Sequence, residues 1–99
     1  MQGTDRQVRF ATTVARTATS GFESIAQAFA QATDPRAAAF AAAARSEIAG
    51  IGNLGDASKV IATYRDAVDL NWQADTLLPG ADARYSKDAR NWLIQHGRV

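Results

Sequence analysis

Val8, Ala11, Ala15, Ala18, Phe22, Ile25 and Phe29 recur at alternating steps of three and four residues. That period is the face of an α-helix laid along another helix, whereas a half-buried strand needs apolar residues at every second position. No stretch of the chain alternates in the strand manner. The expected fold is therefore all-α.

The first helix is expected from Thr4 or Asp5 to about Ala32. Ser20-Gly21 is its weak point, since glycine inside a helix costs about 1 kcal/mol relative to alanine. The spacing nevertheless passes from Ala18 to Phe22 without a change of phase, which predicts continuation or a mild kink. Thr33-Asp34-Pro35 marks the next boundary. Asp34 caps free N–H groups there, and Pro35 suits a first helical position but cannot extend the helix before it. A connection this short folds the second helix, which runs to about Ala49, back on the first as an antiparallel hairpin. Gly50, Gly52 and Gly55 then read as helix-stop residues, and Asp56 caps a third helix from Ala57 to about Leu77. Pro79-Gly80 forces a turn, and Ser86 with Asp88 starts a last helix that ends at Gln95 or His96, before Gly97. Residues 1–99 thus read as a single domain, a small four-helix bundle built on an N-terminal antiparallel helical hairpin.

The core of such a bundle is thin. Apolar residues make up 46% of the chain, but 22 of them are alanine, which leaves 24 larger side chains. A fully buried Leu or Phe contributes roughly 1.5–3 kcal/mol and alanine far less, so close helix contact, self-association or a partner is expected to supply part of the stability.

Several chemistries lose their reagents at this stage. The chain has no cysteine, hence neither disulfide nor thiolate. His96 is the only histidine, and metal sites draw on three or four ligands, so no metal is expected and His96 is read as a cation near a helix C-terminus. Gly50, Gly52 and Gly55 match a G-x-G-x-x-G string, but the residues before them are helical, and the dinucleotide fingerprint needs a strand there. No cofactor is expected. Asp66 and Asp69 share a helix face, yet Asp69 stands four residues from Arg65 and reads as a surface pair rather than a general acid or base. The longest apolar run, Ala37 to Ala44, is too short to cross a bilayer. Met1 to Arg9 holds charges but no apolar block, so the cytoplasm is the expected compartment. Frequent alanine and arginine, with Lys59 and Lys87 as the only lysines, suit a GC-rich bacterial or phage genome.

The expected function is that of a non-enzymatic helical binding or assembly protein, acting through protein–protein contacts with a partner or with further copies of itself. Its contact residues are expected among Phe22, Ile25 and Phe29 of the seam and Phe10 and Val14, which lie off it. The alternative is a small nucleic-acid-binding subunit or regulator. The net charge is only +1, but both ends of the chain are basic, and Arg6, Arg9 and Arg16 together with Arg84, Lys87 and Arg90 would meet phosphates. Stacking of bases in that case requires Trp72 or Trp92 to be exposed.

Overall fold

Thr4 opens the first helix by a reciprocal pair of bonds: its hydroxyl accepts from the Gln7 N–H at 3.2 Å, and the Gln7 side-chain oxygen accepts from the Thr4 N–H at 3.0 Å. From this capping box helix α1 runs over Asp5–Ala28. The computed structural model describes residues 2–30, 33–70, 72 and 85–99. Asp34 caps α2, Pro35–Asn53, by accepting from the Arg36 N–H at 2.8 Å, with Pro35 at the first helical position. Asp56 caps α3, Ala57–Tyr64, and Ser86 caps α5, Lys87–Gln95, each through a side-chain oxygen that accepts a backbone N–H. Between them lies one further turn, α4, Asp66–Asp69. Among the described residues there is no strand, only an isolated bridge that ties Gln2 to Asp56.

The fold is an all-α bundle built on the α1–α2 hairpin, as expected. α1 is its spine, since α2, α3, α4 and α5 all pack against it. Ala11, Val14, Ala18, Phe22 and Ile25 are completely buried along α1, while Val8, Ala15 and Phe29 are partly buried at the edge of the same core. Phe22 is its centre. Its ring meets Trp72 and Trp92 edge-on at 5.5 Å each and Tyr64 at 6.2 Å, so the aromatic side chains of three other segments converge on one residue of α1.

Four boundaries differ from expectation or refine it. α1 ends at Ala28 rather than near Ala32, because Phe29 leaves the helical region and lays its ring against Phe40 at 6.3 Å and Tyr85 at 5.5 Å. α2 runs past Gly50 and Gly52 to Asn53, so these glycines do not stop it. Ile48 and Ile51 continue the apolar face of α2 into the core, and their burial outweighs the helix penalty of glycines that stand in open space. The third helix is not continuous: Val68 N–H bonds the Arg65 carbonyl three residues back at 3.1 Å, the last turn tightens into α4, and Trp72 lies beyond it. Trp72 then bonds back to the Ala67 carbonyl at 3.0 Å and is 1% exposed. Fourth, α5 ends where Gly97 adopts φ 68°, with Arg98 N–H on the Leu93 carbonyl and Gly97 N–H on that of Ile94, so Gly97 terminates the helix as expected, and His96 stands exposed at the helix C-terminus. The expected reach of the third helix to Leu77, the turn at Pro79-Gly80, and Asp75, Asp82 and Arg84 lie outside the described residues.

The passage of α1 through Gly21 has a packing cause. A Cβ on Gly21 would stand 3.1 Å from the Ala89 Cβ and 3.2 Å from both the Cβ and the carbonyl oxygen of Trp72. The absent side chain lets the Trp72 backbone and α5 reach α1, which brings both tryptophans onto Phe22. Ser24 reinforces the crossing: its hydroxyl donates to the Gly21 carbonyl at 2.6 Å and accepts the Ser86 N–H at 2.9 Å, fastening the start of α5 to α1.

Candidate functional site

Among the described residues, two grooves that carry exposed apolar side chains and one part-buried polar network stand out. The polar network joins three elements. Tyr64 of α3 donates its phenol proton to the Glu47 carboxylate of α2 at 2.6 Å, and Arg98, just past α5, holds the other carboxylate oxygen at 2.8 Å through Nε. Burial first, and then the Glu47 carboxylate, push the Tyr64 phenol above its ordinary value, with the Arg98 charge acting weakly the other way. The Tyr64 hydroxyl and the Arg98 Nε each take one oxygen of the Glu47 carboxylate, so the arrangement is a clasp between α2, α3 and the end of α5. The residue that sequence reading misses here is Glu47; its signal is its place one turn after Ala44, beside the buried face of α2.

The first groove, of about 410 Å³, lies where the end of α1, the start of α2 and the body of α5 meet. Phe29, Phe40 and Ile94 form its apolar surface, and Asp34, Arg36 and Arg90 supply its charges. Ile94 remains 47% exposed. The Arg90 guanidinium is fixed in place, donating to the Tyr85 hydroxyl at 3.1 Å and lying 5.3 Å from the Tyr85 ring centre. Among the described residues neither Arg36 nor Arg90 has a carboxylate within ion-pair distance. Asp34 is engaged as the cap of α2.

The second groove lies between α1 and α3 and is lined by Arg6, Gln7, Phe10 and Ile61. Phe10 is 38% exposed, since Val14, one turn on, turns into the core while Phe10 meets only the edge of α3.

The expected contact residues therefore separate. Val14, Phe22 and Ile25 are fully buried in the chain's own core, where the seam is covered by α3, α5 and Trp72 of the same chain. Phe29 is partly buried beside the first groove, and Phe10 stays on the surface. Of the expected phosphate contacts, Arg6, Arg9, Arg16 and Lys87 are exposed, and Arg90 is half-buried against Tyr85. Trp72 and Trp92 are 1% and 3% exposed, which leaves them no face for a base to stack on. Their indole N–H groups find no hydrogen-bond partner among the described residues. His96 stacks on Trp92 at 4.0 Å.

Among the described residues no group of three His, Asp or Glu side chains stands close enough to hold a metal ion, and no helix is long and apolar enough to cross a membrane. Arg65 and Asp69 form the expected pair, at 3.7 Å with both side chains more than half exposed. Comparison with known proteins finds no matching family model, no matching curated protein and no matching solved structure.

Proposed function

We propose that this chain is a non-enzymatic helical protein that binds other protein surfaces, further copies of itself included. The observation that carries this reading is the pair of large apolar side chains, Phe10 and Ile94, which a small, alanine-rich core leaves on its surface in grooves that also hold arginine. In a chain so short of large apolar residues, leaving two of them in water at the mouths of grooves suits a surface completed by a partner. The arginines beside them suit the same role, since arginine and aromatic residues are enriched at protein contacts.

Photoactivated cross-linkers placed at position 10 or 94 in the native host test this reading. They are expected to trap protein, either this chain or another, with far less capture from the exposed control position Thr13. Adducts with nucleic acid, or the same sparse capture at all three positions, would overturn it.

A further inference from the structure

The first groove joins two features that ask for one kind of ligand. Phe29, Phe40 and Ile94 ask for an apolar side chain, and Arg36 and Arg90 ask for carboxylates. Arg90 is already oriented by Tyr85, so less side-chain freedom is lost when it binds. Two guanidiniums face one carboxylate, Asp34, whose oxygen is engaged with the Arg36 N–H at 2.8 Å.

A segment with the complementary chemistry stands on the same chain. Asp66 and Asp69 are one turn apart on α4 and so share a face, and Leu70 follows Asp66 by four residues. Leu70 is 55% exposed, the most exposed of the large apolar side chains among the described residues. Among the described residues this segment makes a single ion pair, Arg65 with Asp69, which is long and solvated, and exposed pairs of that kind are readily exchanged. We infer that the groove formed by Arg36, Arg90, Phe29, Phe40 and Ile94 receives the Asp66–Leu70 segment of a second copy of this chain.

This inference rests on the protein-contact reading above and names its partner. Groove and acidic segment are different surfaces, so the contact is head-to-tail: every copy that fills a neighbour's groove leaves its own groove open for the next. One helical turn in one groove buries much less than the roughly 1,200 Å² of a stable interface, so the association is weak and sensitive to salt.

Sedimentation velocity over a concentration series tests it. The unaltered chain should associate in about 50 mM salt and weaken at least roughly fivefold in about 500 mM, as screening of its charge pairs requires. Arg36→Gln with Arg90→Gln, and separately Asp66→Asn with Asp69→Asn, should each weaken association by about tenfold or more while circular dichroism stays unchanged. Arg36→Gln alone, at an exposed position without a side-chain partner, serves if the change at Arg90 disturbs the fold. A mixture of the groove variant and the acid variant should regain association and stop at a one-to-one dimer, since only one intact groove and one intact segment can meet. Association that persists in both variants overturns the inference and leaves protein contact to another surface. A chain that stays monomeric at every concentration and salt also overturns it, while the cross-linking at positions 10 and 94 decides the broader reading independently.

Discussion

Tyr64 gives the clasp between α2, α3 and the end of α5 a definite pH dependence. Its ordinary value is 10.0, and the folded chain holds the proton above that, chiefly through burial and then through Glu47. Above about pH 10 the unfolded chain releases this proton while the folded chain keeps it, so the native state binds more protons and loses stability as pH rises. The contribution is fully present below that value. Denaturant titrations from about pH 8 to about pH 11.5, read by tryptophan fluorescence, should show stability falling along the alkaline limb. Tyr64→Phe should be less stable at neutral pH by about 0.5–1.5 kcal/mol, the net worth of one hydrogen bond, and should fall less steeply on the alkaline side. An alkaline limb of equal slope in both proteins would mean that the phenol is not shielded. At the acid end, the Ser58 hydroxyl and then its N–H hold the Asp56 carboxyl below its ordinary 3.8, so the cap of α3 strengthens the fold above that value and is lost as pH falls below it.

At the level of the helices, two glycines carry opposite expectations. Gly50 lies within α2 with open space where a Cβ would stand, whereas Gly21 lies within α1 against Ala89 and the Trp72 backbone. Gly50→Ala should stabilise by about 0.4–1 kcal/mol, and Gly21→Ala should destabilise by about 1–2 kcal/mol through overpacking. A Gly21→Ala protein more stable than the parent, in the same denaturant assay, would show that α5 and Trp72 do not approach α1 so closely. The two positions also mark what a sequence reader can and cannot see. Asp34-Pro35, Asp56, Ser86 and Gly97 are legible because a cap acts within a few residues of itself, and the three-four seam is legible because burial repeats with the helix. The cause of Gly21 is not legible, because the atoms that require it belong to Trp72 and Ala89. Ser24 is hidden in the same way, meeting Ser86 across 62 residues of sequence. For the grooves, Phe29 at the end of the seam and Phe10 off it stand out as large apolar residues, but Ile94, Arg36 and Arg90 come together only once α5 crosses the hairpin. Glu47 lies between these extremes, near a buried face yet with a partner, Tyr64, on another helix.

For the whole molecule, α1 sets the shape. Its 24 helical residues span about 36 Å at about 1.5 Å each, and the chain measures 44 × 25 × 19 Å. A rod of that length has its apolar face covered by the rest of its own chain, so a single copy is expected to fold by itself, with the proposed contacts confined to the margins, at Phe10, Ile94 and Leu70. Amide hydrogen exchange, followed residue by residue at a concentration low enough for the chain to be monomeric, tests this most directly. The amides of α1 around Ala18, Phe22 and Ile25 should be the slowest in the protein and should exchange only through global unfolding. Rapid exchange on either side of Gly21, or protection that appears only as the concentration is raised, would show instead that the seam waits for a partner.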